Sequence, residues 1–576
     1  MHLVPHLLLV MGGLMLLACR SLAVWPLPRS FSRGSSPIQL SPNFEIVFAK
    51  GSTFSLSIPA DLVAAIKQAE EQLENDKLQR LVVDRGEADL PRVHQAPTLA
   101  KLELSLTSLY ISSIAEEANK PYEEVDEGYT LDVPLPGDEK RDIVASLSSN
   151  TTLGLARGLQ TFSQLVYVLP TAENDATLRY VPNAPISISD EPAFPHRAVM
   201  LDTARNFYPV QDITRTLEVM ASLKLNVFHW HATDSQSWPL FVPAFPDLTE
   251  FGAYSSAEVY SLEDIKTIHE HAGGLGITVM LEIDLPGHTG SIHHAFPDYV
   301  SCYDKRPWAL YAAEPPAGQL KLGLADVLEF TQRLLLSVAP VFPSKYFSTG
   351  GDEVNELCYL QDPDVSVAMA AHNATLDDLL SEFVRGTHET LRKVGKTPVV
   401  WEEMVLKHNL GLGEDTIVTV WMSSANVRAV AEQGFRIIHA ASDYFYLDCG
   451  AGGWLGNNVD GNSWCDPFKT WQKIYSFDPF ANLTESHRSL VMGGEALAWS
   501  EQISPTNLDS MVWPRAAAAA EVFWTGGSVD DGKRSVSEAL PRLHDWRYRA
   551  INRGVGAAPL QPHWCALRPG ACDLAG

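Results

Sequence analysis

Two carboxylates stand side by side in Ser348-Thr349-Gly350-Gly351-Asp352-Glu353. On an extended segment, neighbouring side chains point to different sides, so Asp352 and Glu353 can do two jobs on one substrate. Cleavage of an acetal asks for that division. It needs a carboxylic acid held protonated and a second group that stabilises developing positive charge. An Asp-Glu pair taken at random is a solvated turn, but here two glycines precede it and a short apolar run leads into it. Trp401, Trp421 and Trp499 follow other such runs. Sugar rings offer apolar C–H faces to indole, while their hydroxyls need fixed charged partners, which Arg205, Asp448 and Glu501 can supply. Each Trp taken singly reads equally well as core.

The elements that must position these groups recur from about residue 195. Short β-rich runs are Ala198–Asp202, Asn226–His231, Thr278–Ile283, Tyr346–Thr349, Pro398–Trp401, Ile417–Trp421, Arg436–Ala440 and Leu490–Glu495. Helical spacing follows most of them, over Ile213–Leu223, Leu262–Gly274, Ala325–Val338, Leu376–Val394 and Val427–Gln433. After the seventh run a Gly/Trp-rich loop replaces the helix. Eight β units predict an α/β fold, a (β/α)8 TIM-type barrel over 195–576 with a C-terminal tail. A doubly wound open sheet is the rival, but no glycine fingerprint follows the first strand. Polar or aromatic residues follow all eight runs: Asp202 and Arg205; His229, His231 and Asp234; Glu282, Asp284 and His288; Asp352 and Glu353; Trp401; Trp421; Tyr446 and Asp448; Glu495, Trp499 and Glu501. In a barrel all of them face one mouth.

Residues 44–190 read as a smaller α+β domain, with strands Phe44–Phe48, Leu99–Leu109 and Tyr129–Val133 and helices Asp61–Gln79 and Leu153–Leu169. The Pro- and Ser-rich stretch 24–43 reads as a leader or linker. Residues 1–23 read as a secretory signal peptide, because the apolar run Leu7–Ala18 is too short to span a bilayer and Arg20 closes it. Beyond Cys19, six cysteines remain, allowing 15 disulfide connectivities on counting alone. Cys449/Cys465 and Cys565/Cys572 are close enough in sequence to pair locally, which leaves Cys302 with Cys358. Asn150, Asn373 and Asn482 head N-glycosylation sequons. The 576 residues carry a net charge of −27, which disfavours nucleic-acid partners.

The segments Leu201–Arg205, His229–Asp234, Pro286-Gly287-His288, Gly350–Glu353, Tyr446-Leu447-Asp448 and Gly493–Glu501, with Arg157–Phe162 before them, resemble glycoside hydrolase family 20, the β-N-acetylhexosaminidases of secreted fungal type. The resemblance implies retaining, substrate-assisted hydrolysis of terminal β-linked GlcNAc or GalNAc through an oxazolinium. Glu353 would be the general acid, and Asp352 and Tyr446 would hold the substrate's acetamido group. Arg205, Asp448 and Glu501 would bind hydroxyls, Trp401, Trp421 and Trp499 would wall the pocket, and Asp234, His231 and His288 would support Glu353. It implies a secreted enzyme, alone or as a homodimer, whose partner is an oligosaccharide or glycoconjugate, with no membrane.

Two other readings compete. His229 and His231 alternate as zinc ligands do, yet neither Asp234 nor the acid pair completes a ligand set, so no metal or other cofactor is expected. A non-catalytic secreted sugar-binding barrel would keep the Trp residues but has no use for paired acids.

Overall fold

The computed structural model describes residues 22–50, 58–136, 143–170, 177–408, 410–528, 531–532 and 534–574. The signal-peptide run, Leu7–Ala18, lies outside them.

Eight parallel strands close a barrel: β7 (His196–Asp202), β8 (Val227–His231), β9 (Thr278–Glu282), β10 (Tyr346–Ser348), β11 (Thr397–Trp401), β12 (Ile417–Val420), β13 (Arg436–His439) and β14 (Val491–Ala498). The last pairs with the first, Glu495 opposite Ala198, so no edge remains. Each strand falls on one of the expected runs. The helices Leu262–Gly274 and Ala325–Val338 keep their expected bounds, and Ser261 starts the former with a capping box. After β13 no helix appears until Trp471–Tyr475. The intervening loop is clipped by Cys449–Cys465, with Cα atoms 5.3 Å apart; Cys302–Cys358 and Cys565–Cys572 form the other bridges. In Ala516–Ala520 five small side chains, all buried, bring the helix Arg515–Thr525 close against β7 and β14.

A six-stranded mixed sheet precedes the barrel: β1 (Ser30–Phe48), β2 (Thr98–Leu106), β3 (Tyr129–Val133), β4 (Ile143–Ser149), β5 (Tyr167–Pro170) and β6 (Thr177–Asp190), in the order β1-β2-β4-β3-β6-β5. Helices Ala60–Asn75 and Thr152–Gln164 cover it. Two expectations need correction here. The stretch 24–43 is not a linker: β1 begins at Ser30 and pairs with both β2 and β6. Its serines face solvent while Ile38 and Leu40 are buried, which disguises a strand as low-complexity sequence. Trp25 is fully buried, its indole donating to the Ala517 carbonyl. The expected helix Leu153–Leu169 stops at Gln164, because the β-branched and aromatic residues after it pair with β6.

Candidate active site

Asp352 and Glu353 sit at the C-terminal mouth of the barrel, just past β10. Gly350 and Gly351 turn the chain out of β10 with φ of +59° and +101°. A Cβ on Gly350 would lie 2.2 Å from the Asp284 carboxylate, and one on Gly351 would lie 2.7 Å from Met404. Only glycine fits there, which explains the two residues before the acids. Glu353 itself holds φ +55° and His288 φ +52°, both in the region that side-chain-bearing residues rarely enter.

A cavity of about 270 Å³ opens above the pair. Asp352, Glu353, Arg205, His288, Tyr446 and Asp448 line it, with Trp421, Trp499 and Glu501. Nearly all the expected site residues therefore converge from different strands. Trp401 departs from the expectation of a pocket wall. It is 1 % exposed and packs against His229 and Trp499, with ring centroids 5.9 and 6.2 Å away, beneath the lining rather than on it. The wall is instead Trp421, stacked on Tyr446 at 6.0 Å, together with Trp499, Trp454 and Trp464.

Charge fixes the geometry. Arg205 reaches Asp234 at 2.9 Å, Glu314 at 2.8 Å and Asp202 at 3.3 Å, and its guanidinium lies 5.0 Å over Trp499. Asp234 also meets His231 at 2.8 Å and His288 at 3.1 Å. The far nitrogen of His288 stands 3.4 Å from Glu353 and 3.6 Å from Asp352. Burial opposes a charge on His288, but Asp234 and Asp352 outweigh it and raise its pKa well above the ordinary value. Burial pushes Asp352 up, and the His288 charge draws it back. Asp284 is likewise driven up, by burial and by Asp352 beside it. Burial also raises Asp448 to about 7, and raises Glu403 to about 8 with help from Asp352; Glu501 lies well above its ordinary range despite Arg205.

His229 and His231 each lie between two carboxylates, Glu495 and Glu282 for His229, Glu282 and Asp234 for His231.

Glu314, Glu403, Trp454 and Trp464 were not among the residues read from sequence. Glu314 lies in a Pro-flanked loop without periodicity, and nothing near it in sequence marks it. Trp464 adjoins Cys465, and the Gly/Trp-rich composition of its loop was the available signal.

A (β/α)8 barrel with paired acids under an aromatic wall at its C-terminal mouth is a glycosidase architecture. The chain matches the models described as "Glycosyl hydrolase family 20, catalytic domain" over residues 194–527 and "beta-acetyl hexosaminidase like" over residues 24–165. It is 40% identical over 462 residues to a beta-hexosaminidase of Arthroderma benhamiae, covering 76% of this chain and 74% of that one. It is 31% identical to beta-hexosaminidase 1 of Arabidopsis thaliana, over 95% of this chain and 94% of that one. Among solved structures, the Flavobacterium johnsoniae chitobiase superposes with a TM-score of 0.70 at 25% identity, covering 93% of this chain and 73% of that one. The chain belongs to glycosyl hydrolase family 20.

Proposed function

We propose that the protein is a secreted, exo-acting β-N-acetylhexosaminidase that removes terminal β-linked GlcNAc or GalNAc from chitooligosaccharides or glycoconjugates, and that it retains configuration by using the substrate's own acetamide. The observation that carries this reading is the pairing of Asp352 and Glu353 around His288, with Tyr446 and Trp421 facing them across one cavity.

Glu353 donates its proton to the glycosidic oxygen as the bond to the anomeric carbon breaks. The acetamido carbonyl oxygen attacks that carbon from the opposite face, forming an oxazolinium. A tethered nucleophile makes the attack intramolecular, which removes much of the entropic barrier. Asp352, drawn towards its charged form by the His288 charge, accepts from the acetamido N–H and opposes the developing cation. Tyr446 donates to the acetamido oxygen. Water then opens the ring while Glu353 takes back a proton. Arg205, Asp448 and Glu501 hold hydroxyls, and Trp421 and Trp499 face the ring. Asp234, His231 and His288 hold Glu353 in place.

Secretion is supported by the three disulfides and by the exposure of Asn150, Asn373 and Asn482, the sequon asparagines. Among the described residues no helix is long and apolar enough to cross a membrane.

The test is a substrate panel with chemical probes. A chromogenic β-GlcNAc substrate is expected to be cleaved and the matching β-glucoside very poorly. A thiazoline mimic of the cyclised acetamide should inhibit far more tightly than GlcNAc. A glycosyl ester trapped on Asp352 or Glu353 by a 2-fluoro sugar would overturn the mechanism, and no hydrolysis at all would favour the sugar-binding reading.

A further inference from the structure

Barrel interiors are usually packed with layers of Val, Ile and Leu. Here a lower layer of Ala198, Val227, Met280, Val399 and Ile417 fits that rule. From the foot of β7 upward past that layer, histidines and carboxylates from β7, β8, β9 and β14 alternate towards the pocket, each within 3.5 Å of the next.

The chain begins at Tyr122, whose hydroxyl lies 2.7 Å from His196 Nδ1. His196 Nε2 is 3.5 Å from Glu495, and Glu495 is 3.1 Å from His229 Nδ1. His229 Nε2 is 3.1 Å from Glu282 Oε2, and Glu282 Oε1 is 2.5 Å from His231 Nδ1. His231 then meets Asp234, Asp234 meets His288, and His288 meets Glu353. From His196 to Asp234 every member is fully buried. Glu282 also accepts from the Ser348 hydroxyl at 2.5 Å, tying the chain to the strand that carries the acid pair.

Protonation follows from geometry. Both nitrogens of His229 and both of His231 face carboxylate oxygens. An ionised carboxylate only accepts, so each ring carries two protons and a positive charge. The electrostatics agree. Burial disfavours the charge, but the flanking carboxylates raise His229 to about 10 and His231 to about 9. Glu495 falls to about 2 against its burial, under His229 and His196, and Glu282 and Asp234 lie well below their ordinary range. His196 differs. Its partner on one side is a phenol that can donate, and burial holds it below the ordinary value, so the charged section ends there. Buried ion pairs seldom stabilise a fold better than apolar side chains of the same size. Such a column therefore points to a task at its upper end.

We propose that Glu495, His229 and Glu282 are positioning residues for the acid step: they keep both protons on His231, which holds Asp234 ionised against His288 and so fixes the arrangement of charge beneath Glu353. None of the three lines the pocket. This inference rests on Glu353 as the general acid.

Other charged groups face the same centre. Arg205 and Asp202 come from the end of β7, and Asp284 from the end of β9. Glu403 follows β11, Tyr446 and Asp448 follow β13, and Glu501 follows β14. Asp352 and Glu314 complete the set. None of them is substituted in the column variants, so a difference between those variants reports the column.

The test is the pH profile of kcat/KM, whose alkaline limb reports the acid in the free enzyme. His229→Gln removes a positive charge, makes the field at Glu353 more negative, and should move that limb to higher pH. Glu495→Gln removes a negative charge and should move it to lower pH. Each shift should be roughly half a pH unit or more, given how weakly buried charges are screened. The double variant is neutral relative to the native protein and should return the limb close to its native position, whereas structural damage would accumulate. Limbs that do not move, or that move the same way in both single variants, overturn the proposal. Glu353→Gln tested with good and poor leaving groups checks the acid assignment separately. If its losses are equal for both, that assignment fails; if they are unequal while the limbs stand still, only the buried column fails. Neutron diffraction from the native protein at pH 7 needs no variant to fold. It should find a proton on both nitrogens of His229 and of His231, and a single proton on either ring would overturn the proposal.

Discussion

The seam between the two domains and the pocket at the barrel mouth use the same side chains with opposite charge balance. In the seam one carboxylate, Glu127, serves two guanidinium groups. Arg157 meets it at 2.7 Å and Arg197 at 2.7 Å, all three fully buried. The cations spend their remaining donors on backbone carbonyls, Arg157 on Gly276 and Arg197 on Lys224 and Phe194. Glu127 consequently lies below its ordinary range although burial opposes it. In the pocket the acids are in excess. Arg205, His288 and His231, with Arg515 and Lys469 near Asp448, answer Asp202, Asp234, Glu314, Asp352, Glu353, Asp448 and Glu501, and burial pushes Asp448 and Glu501 upward in spite of the cations near them. A saturated cluster locks two domains together. An unsaturated one holds protons and lone pairs in reserve for a polyhydroxylated substrate.

This contrast separates activity from stability, and four experiments test it. The largest effect should come from the pocket. Glu353→Gln is expected to lower kcat by roughly 10²–10⁴-fold for a poor leaving group and by much less for a good one, with little change in Tm. Asp352→Asn should also cost orders of magnitude, because preorganised charge opposite a developing cation is a large contribution. Steady-state kinetics with a leaving-group series, beside thermal unfolding, reads both.

Glu127→Gln should show the reverse pattern. It leaves two buried guanidinium groups without a counter-charge, a loss of about 3–5 kcal/mol. Urea denaturation should register it, while kcat of the folded fraction stays near native. A variant that lost activity in proportion to stability would merge the two regions into one functional unit.

The third experiment uses pH. Asp448 and Glu403 have folded pKa values of about 7 and 8, above those of the unfolded chain. Their contribution to stability is complete at about pH 4 and is lost as pH rises through those values. Glu127, with its lowered pKa, contributes above its unfolded value and loses that contribution as pH falls through its folded one. Tm should therefore be higher near pH 5.5 than near pH 8.5, and Glu403→Gln should narrow the difference. A native Tm that rose towards pH 8.5 would contradict the excess of acids in the pocket.

The smallest effect concerns the rim. Trp464 stands edge-on to Trp421 at 5.8 Å and to Tyr446 at 5.7 Å. Trp464→Ala removes aromatic contacts worth about 0.5–1.5 kcal/mol and should raise KM a few-fold with kcat little changed. Opening Cys449–Cys465 with a reductant should act in the same direction.

Much of this architecture was legible in one dimension, for reasons that differ by region. Barrel strands are short, buried on both faces and followed by amphipathic helices, so apolar runs and helical spacing locate them. The N-terminal sheet was harder. β1 carries Ser, Gly and Pro through its first half, and that composition matches a linker. β4 and β6 left too weak a rhythm to be named. Trp401 shows a similar limit within the site. Its place at a strand end matched that of Trp421, and only packing put it one layer below.

Local chemistry in the sequence was enough for the barrel periodicity, the glycines that admit the acid pair and the polar residues after each strand, while the Cys302–Cys358 bridge, across 56 residues, was settled by the fold. Tertiary structure alone decided the protonation pattern. Whether a carboxyl or an imidazole is charged depends on burial and on partners brought from distant segments. Glu495 lies 266 residues from His229, and Glu282 lies 53. Charge at a site is set by the sum of the groups around it, and that sum exists only once the barrel has closed.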